Sequence, residues 1–249
     1  MRVICWNTRS NVKAWAYALE SLGGDVMIFQ ESTSPPVEAR VESIFDLIQI
    51  DEPGAKNARK FGNSTSVLSG AIEKVDVGSE YTGSLNTVLV TTPGACKIGL
   101  VNIYGLLEKY PEQPNPVVYL GIHRKLDKVQ HWINGDISPK PDFFIVCGDF
   151  NNDRRMDDHK TFKGPKQGRK SSELLDRVID LGMTDLLALE YPNFVQTIRH
   201  TRSKFPWQLD HFFVSNCAAS LVTKTEVIDN PQIRAISDHN PIVVDFDLT

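Results

Sequence analysis

The sequence lacks the features that mark membrane-spanning, secreted and disordered proteins. No stretch approaches the ~18 uninterrupted apolar residues of a membrane-spanning helix, and the opening residues, MRVICWNTRS, contain no long apolar run typical of a secretory signal. Proline and glycine, at 14 and 16 of 249 residues, fall well short of a disordered or collagen-like composition, and 41% of the residues are hydrophobic. The chain is therefore expected to fold as one globular domain over residues 1–249.

Clustered cysteines are also missing. The four cysteines lie far apart, mostly within apolar runs, and show no CxxC spacing. We expect them to be reduced core residues in a cytoplasmic protein, and we do not expect a zinc site.

An overall excess of positive charge is absent too. The net charge of −4 and the isoelectric point of about 5.9 argue against a protein that coats nucleic acid by bulk charge. Asp153–Lys170 is an exception, because it contains seven Lys or Arg against three Asp, a net charge of +4. Any site for a polyanion is therefore expected to be local.

Short β-like runs alternate with amphipathic helical patterns, which predicts a layered α/β fold. Successive runs without helices between them indicate antiparallel pairing. The predicted strands are Arg2–Trp6, Val26–Gln30, Val67–Ile72, Thr87–Val90, Ile98–Tyr104, Phe143–Cys147, Leu209–Val214, Leu221–Val227 and Ile242–Phe246. The predicted helices run from Asn11 to Gly23, from Asn115-Pro116 through Ile133, and from caps at Ser171 and Ser172 to Gly182.

Polar side chains occur at strand ends, where burial is costly unless each group has a partner. Singly, each has an ordinary explanation as a solvated strand end, an Asx turn, a cap or a partnered core acid. Together, oxygen ligands and amides at five strand ends are what a hard divalent cation and a phosphoryl group require. Because residues two apart in an extended chain point the same way, Asp149 and Asn151 are expected to face a common point. The set comprises Asn7, Glu31, Asp149, Asn151, Asp210, Asp238 and His239.

Six sequence blocks carry a family resemblance. They are CWN with Asn7, FQES with Glu31, VNIYG with Tyr104, VCGDFNN with Asp149 and Asn151, QLDHFF with Asp210, and SDHNPI with Asp238 and His239. In this order and over nearly the whole chain, they resemble the endonuclease/exonuclease/phosphatase superfamily, which includes exonuclease III-like and deoxyribonuclease I-like enzymes. The resemblance implies a four-layer α/β/β/α sandwich of two packed, mostly antiparallel sheets. It also implies a phosphoesterase that depends on Mg²⁺ or Mn²⁺.

The resemblance implies a metal site. Glu31 is expected to be the main metal ligand, helped by Asn7, and Asp238 is expected to lie near that metal or near a second one. The sequence departs from the pattern at Arg9, where several DNA-repair members carry a second carboxylate. The resemblance therefore does not decide between one metal ion and two.

The resemblance also implies catalytic roles. Asp149 is expected to activate or orient the attacking water, and Asn151 to hold that water or a phosphate oxygen. His239 is expected to contact the phosphoryl group while Asp210 keeps it charged or oriented. Tyr104 stands where some members carry a phosphate-contacting Tyr and others a His acid.

The leading functional hypothesis is a nuclease, because phosphate backbones are held chiefly by Lys and Arg. The expected phosphate contacts are Arg154, Arg155, Lys160, Lys163, Arg199 and Arg202. Trp207 is expected to stack on a base. The alternative interpretations are a solvated basic segment and a core Trp207.

Two other functions stay open at this point. The first is a phosphatase that uses the same core on a small phosphorylated metabolite, an inositol phosphate or a lipid headgroup. The second is a catalytically silent binding module, since one fold can host many functions.

Overall fold

The computed structural model describes residues 1–49, 60–106, 119–159, 170–199 and 204–248. Two six-stranded sheets pack face to face, and helices cover their outer faces. This arrangement confirms the predicted α/β/β/α sandwich. The strands are β1 (Arg2–Asn7), β2 (Val26–Ser32), β3 (Glu42–Leu47), β4 (Gly62–Val67), β5 (Ala71–Lys74), β6 (Leu85–Thr91), β7 (Lys97–Tyr104), β8 (Phe143–Asp149), β9 (Met183–Asp185), β10 (Asp210–Ser215), β11 (Val222–Val227) and β12 (Ile242–Phe246).

The first sheet has the strand order β11-β12-β1-β2-β4-β3, and the second has the order β5-β6-β7-β8-β10-β9. Pairing is parallel between β1 and β2 and between β7 and β8, and antiparallel between the other neighbours. The described helices are α1 (Lys13–Ala16), α2 (Tyr119–Ile133), α3 (Lys170–Asp180), α4 (Leu186–Glu190) and α5 (Pro231–Ile236). In the described ranges, no helix combines the length and apolarity needed to cross a membrane.

Side-chain alternation along the strands builds three apolar layers. In β1, Val3 and Cys5 lie in the core between the sheets, whereas Ile4 and Trp6 pack outward with residues of α1 and α5. The second sheet follows the same rule, and the outward residues of β7, β8 and β10 pack against α2 and α3. The face of each strand that points between the sheets is therefore known residue by residue.

The predicted strand Val67–Ile72 is wrong. Val67 ends β4 and Ala71 begins β5, and these strands belong to different sheets. The chain turns between them at Gly70, whose φ of +104° suits glycine.

The sequence analysis also missed β3 and β4. The β4 sequence, GNSTSV, is almost entirely polar, yet the whole strand is buried. Its polar side chains find partners across the sheets: Thr65 Oγ1 donates to Asn86 Oδ1 at 2.6 Å, and Asn63 Nδ2 donates to the Asn102 carbonyl at 2.9 Å. A search for apolar runs therefore passes over this strand.

The helix boundaries differ from the predictions as well. Ser171 and Ser172 lie inside α3, and the Asp157 carboxylate accepts hydrogen bonds from their backbone N–H groups at 2.9 and 2.8 Å. A cap supplied from fourteen residues upstream leaves no local sequence signal. The first predicted helix splits into α1 and a π-helical segment, Tyr17–Ser21, and the predicted start at Asn115-Pro116 lies outside the described residues.

All four cysteines are free, which agrees with reduced thiols. Cys5 and Cys147 are buried, but Cys96 is half-buried and Cys217 is exposed. The expectation of a core position is therefore wrong for Cys217.

Gly148, the residue before Asp149, is expected to tolerate no side chain. Its φ is +141°, and an added Cβ would lie 1.9 Å from the Ile103 carbonyl oxygen. We expect Gly148→Ala to lower the free energy of unfolding by about 2–4 kcal/mol, measured by urea denaturation. The control Gly78→Ala also has a positive φ, of +64°, but meets no atom within 4 Å. It should cost only about 1 kcal/mol, and equal losses in the two variants would contradict the clash.

Candidate active site

The alternation that builds the core between the sheets ends in a polar layer. In β8, Ile145 and Cys147 point into this core, and Asp149 follows them on the same face. In β10, Phe212 and Val214 do the same, and Asp210 precedes them. Asp149 and Asp210 pair directly across the two strands. Two carboxylates therefore meet at one end of the interface between the sheets.

His239 completes this cluster. Its Nδ1 lies 2.9 Å from Asp210 Oδ2, and its Nε2 lies 3.9 Å from Asp149 Oδ2. The three residues are 1 to 6% exposed, and their ligand atoms all lie within 4.8 Å of one another. The His239 backbone is held by the Trp6 indole N–H, which donates to its carbonyl at 2.9 Å.

Burial and mutual charge shift the protonation of this cluster. Burial raises the pKa of Asp149 to about 7, although the charge of His239 opposes the shift. Burial alone would lower the pKa of His239, but the charges of Asp210 and Asp149 and the hydrogen bond with Asp210 raise it to about 10. The imidazole is therefore a cation at neutral pH, and burial brings the pKa of Asp149 close to neutrality.

Asn7 joins this cluster to Glu31. Its Nδ2 donates to Asp149 Oδ2 at 2.9 Å and to Glu31 Oε1 at 3.2 Å, while its Oδ1 accepts from the Arg9 backbone N–H at 3.0 Å. Tyr104, from the second sheet, donates its hydroxyl to the same Glu31 oxygen at 2.7 Å. One hydrogen-bond network thus connects predicted site residues from both sheets.

Glu31 reaches the network through an irregular backbone. Strict alternation would place it with Met27 and Phe29 on the outer face of β2. Instead its φ is +44°, and the pairing of β2 with β4 shifts register between Phe29 and Ser32. This irregularity turns the carboxylate toward the end of the interface between the sheets, as strained backbone often does at functional sites.

Asn151 lies beside Asp149, as expected, but through a turn. Its φ is +48°, its backbone N–H donates to Asp149 Oδ1 at 2.8 Å, and its Nδ2 donates to Asp149 Oδ2 at 3.3 Å. The same Nδ2 also donates to the Gly105 carbonyl at 3.0 Å. The side chains of Asp149 and Asn151 are therefore held together without an extended chain between them.

Asp238 is half-buried, and its Oδ2 lies 3.2 Å from Arg9 Nη1. Arg9 itself has a φ of +51°, and most of its side chain is exposed. The residue that departs from the family pattern thus places a cation against one of the predicted metal-site carboxylates.

Three of the predicted phosphate contacts lie in the described part of the chain, and each forms an ion pair within it. Arg154 contacts Asp176 at 2.5 Å, Arg155 contacts the buried Asp153 at 2.5 Å, and Arg199 contacts Asp229 at 2.7 Å. The other predicted phosphate contacts, Lys160, Lys163 and Arg202, lie outside the described residues. Local charge in the described part therefore gives less support to a polyanion site than the sequence implied.

Trp207 is only 7% exposed and clusters with Ile198 and Leu209. Its ring centroid lies 4.2 Å from that of the half-buried Phe205. This burial agrees with the interpretation of Trp207 as a core aromatic.

The sequence analysis missed three supporting residues. Thr197 Oγ1 accepts from the backbone N–H groups of Leu209 and Asp210 at 2.9 and 3.1 Å, which fixes the start of β10. Ser237 Oγ donates to the Asn7 carbonyl at 2.8 Å, and the buried Lys125 donates to the Tyr104 carbonyl at 2.9 Å. Ser237 stands within the SDHNPI block, whereas Thr197 and Lys125 had no local signal.

The donor set fits a hard divalent cation. Glu31 Oε1 accepts two hydrogen bonds, while Oε2 accepts none from the described part of the chain. Carboxylate oxygens held in this way suit Mg²⁺ or Mn²⁺, which prefer oxygen ligands. The Asn7 amide presents its nitrogen to Glu31 and its oxygen to the Arg9 backbone N–H.

The model of the Endonuclease/Exonuclease/phosphatase family matches residues 4–239. No curated protein matches the chain.

Several solved structures share the fold. An AP endonuclease from Archaeoglobus fulgidus superposes with a TM-score of 0.72 at 19% identity, covering 100% of both chains. The 3' phosphatase NExo from Neisseria, bound to a product DNA hairpin, gives 0.71 at 17% identity and 99% coverage of both chains. The APE2 catalytic domain from Xenopus laevis gives 0.70 at 15% identity, covering 99% of this chain and 91% of the other.

Arg155 is expected to stabilise the fold through its ion pair and not to serve as a phosphate contact. Removing its guanidinium leaves the Asp153 carboxylate, which is 1% exposed, without its counter-charge. We expect Arg155→Ala to cost about 3 kcal/mol in unfolding free energy, measured by chemical denaturation. The control Arg154→Ala breaks a pair with the half-exposed Asp176 and should cost at most about 1 kcal/mol. Unchanged stability in Arg155→Ala would show that its side chain is available for substrate.

Proposed function

The chain belongs to the endonuclease/exonuclease/phosphatase family and is a phosphoric ester hydrolase, and from that premise we propose that it is a divalent-metal-dependent nuclease. The observation that carries the proposal is the hydrogen-bond network in which Asn7 links Glu31 to the buried cluster of Asp149, Asp210 and His239. A metal-binding carboxylate, a group that titrates near neutral pH and a fixed imidazolium thus lie within one site.

Glu31 is the residue proposed to hold the cation through its Oε2, with Asp238 nearby. Asn7 and Tyr104 fix the other oxygen of Glu31 and so preset the direction of the carboxylate. A bound Mg²⁺ or Mn²⁺ would neutralise charge on the scissile phosphate. Arg9, 3.2 Å from Asp238, adds a second positive charge at the same edge.

Asp149 and Asn151 are proposed to position the attacking water. The raised pKa of Asp149 suits a group that accepts a proton near neutral pH. Asn151 keeps the Asp149 carboxylate in place through its N–H groups, and its amide oxygen can accept a hydrogen bond from water.

His239 is proposed to stabilise negative charge on the phosphoryl group. Asp210 holds Nδ1, so Nε2 is the nitrogen that points toward Asp149 and the reacting atoms. A preorganised imidazolium stabilises the more highly charged transition state without reorganising during the reaction. Tyr104 is the second proposed phosphate-contacting group, on the side of Glu31.

The choice of nucleic acid as substrate rests on the similar structures. An AP endonuclease and an enzyme bound to a DNA hairpin share this fold. The described arginines do not strengthen this choice, because Arg154, Arg155 and Arg199 are paired internally. A phosphatase is the second candidate, favoured by the same Neisseria structure, which is named a 3' phosphatase.

Metal dependence tests the role of Glu31. We expect a chelator to abolish hydrolysis, and we expect Glu31→Gln to weaken Mn²⁺ binding at least about tenfold because it removes a charged oxygen ligand. Mn²⁺ binding is measured directly by titration followed by electron paramagnetic resonance. The control Glu38→Gln changes an exposed carboxylate in the segment between β2 and β3, and this variant should bind Mn²⁺ like the parent. Full turnover by metal-free enzyme would exclude the proposed site.

The substrate class is tested by comparing phosphodiesters with phosphomonoesters. We expect cleavage of DNA or RNA strands at saturating Mg²⁺, and a loss of about 10²–10⁴-fold in turnover for Asp149→Asn. The panel contains single-stranded, duplex and abasic DNA, RNA, a 3'-phosphorylated oligonucleotide and inositol phosphates, with products resolved by length. Release of inorganic phosphate without any strand cleavage would replace the nuclease by the phosphatase.

A further inference from the structure

A second pocket lies on the other side of the second sheet, away from the network around Asp149. It has a volume of about 150 Å³ and is lined by residues of β10, α3 and α4 and of the segments beside them. His211 of β10 lines it, and the neighbouring Asp210 belongs to the active site. Because consecutive strand residues point to opposite faces, the two sites lie back to back across β10.

His211 presents a buried ring nitrogen, Nδ1, that has no hydrogen-bond partner among the described residues. Its Nε2 lies 2.8 Å from the Asn152 carbonyl oxygen, which can only accept, so Nε2 carries the proton. In the neutral imidazole Nδ1 is then an acceptor, and no group in the described part of the chain donates to it. The residue is 2% exposed. A buried acceptor in this position calls for a ligand or water that supplies an N–H or O–H.

Two further polar residues of the lining each have a side-chain atom that makes no hydrogen bond to a described residue. Asp185 Oδ1 accepts from the backbone N–H groups of Leu187 and Ala188, both at 3.1 Å, while Oδ2 receives no hydrogen bond within the described ranges. Gln208 Oε1 accepts from the Val195 N–H at 3.2 Å, and its side-chain nitrogen donates to no described group. The pocket thus offers two acceptors and one amide donor.

The lining also includes the charged residues Asp153 and Arg154, which form ion pairs with Arg155 and Asp176. The rest of the lining is apolar or aromatic and includes Tyr191 and Phe194. Phe194 has a φ of +67°, which is unusual for a bulky residue, and 42% of it is exposed. A cavity of this size admits a single six-membered ring. Aromatic walls favour a planar ring, and the polar groups call for donors and an acceptor on its edge.

We propose that this pocket binds one pyrimidine-sized nucleobase, with a ring N–H or amino group donating to His211 Nδ1 and Asp185 and a carbonyl accepting from Gln208. The choice of a nucleobase among planar heterocycles rests on the proposed nuclease function. The base belongs either to a free nucleoside or nucleotide or to the bound nucleic-acid strand.

The test measures binding of cytosine, uridine and cytidine monophosphate to the full chain with a chelator present, so that the catalytic site does not contribute through metal. Isothermal titration gives the affinity, and ¹⁵N chemical shifts of the imidazoles report on His211 Nδ1. We expect one molecule per chain and a shift of the His211 signal. Titration with a short oligonucleotide distinguishes the sources, since a base within a strand shifts the same signal only when the strand is added.

Three variants make the test specific. Ala188→Phe blocks the pocket from an exposed position of α4, and Leu189→Phe adds the same ring next to it on a side chain that is 72% exposed and lines no part of the pocket. His211→Gln keeps a donor for Asn152 and replaces the Nδ1 acceptor by an amide oxygen at a different position. We expect affinity to fall at least about tenfold in Ala188→Phe and His211→Gln, the usual scale for one unsatisfied buried group, and to stay unchanged in Leu189→Phe.

Absence of binding by every probe, or equal binding by the parent and Ala188→Phe, would overturn the proposal and leave ordered solvent only in the pocket. The outcome is separable from the proposed function, because hydrolysis of nucleic acid by the same preparation is measured with Mg²⁺ at the catalytic site. A parent that cleaves strands but binds no base refutes the pocket alone.

Discussion

Two buried carboxylates depend on one imidazole, and the arrangement of the site follows from that constraint. Asp149 and Asp210 face each other across adjacent strands at 1% exposure, where like charges repel and solvent screens little. His239 lies against both of them and supplies the positive charge that makes their burial tolerable. The position of His239 is itself fixed by Trp6 of the first sheet. The charge balance of the site therefore depends on how the two sheets pack.

The alternation of side chains along a strand explains which parts of the site and the fold could be predicted from the sequence. Asp149 lies two residues beyond Cys147, and Asn7 two beyond Cys5, so each continues a face that is already committed to the core between the sheets. Glu31 breaks the rule, because its positive φ carries it off the face that alternation assigns. Likewise β4 was missed because its Ser, Thr and Asn side chains are buried through partners on other strands, and no local pattern shows those partners.

Counting charges along the chain was the least reliable way to predict which residues contact the substrate. Asp153–Lys170 has a net charge of +4, but Arg154 finds Asp176 on α3 and Arg155 lies against Asp153 and over the ring of Phe194. Folding therefore uses positive charge that sequence reasoning had assigned to substrate. The exposed Arg9 had been noted only as a departure from the family pattern, and it lies beside Asp238 of the candidate site.

The candidate active site and the second pocket share β10, so they can be coupled through that strand. Asp210 belongs to the buried cluster with Asp149 and His239, and His211 lines the second pocket. His211 Nε2 donates to the carbonyl of Asn152, the residue after Asn151. A ligand that fixes the His211 ring would restrict the turn that carries Asn151 and its hydrogen bonds to Asp149. This hydrogen bond is worth about 1 kcal/mol net, so it alone can change affinity at the other site by no more than about tenfold. The second pocket would therefore tune the catalytic site and would not switch it off.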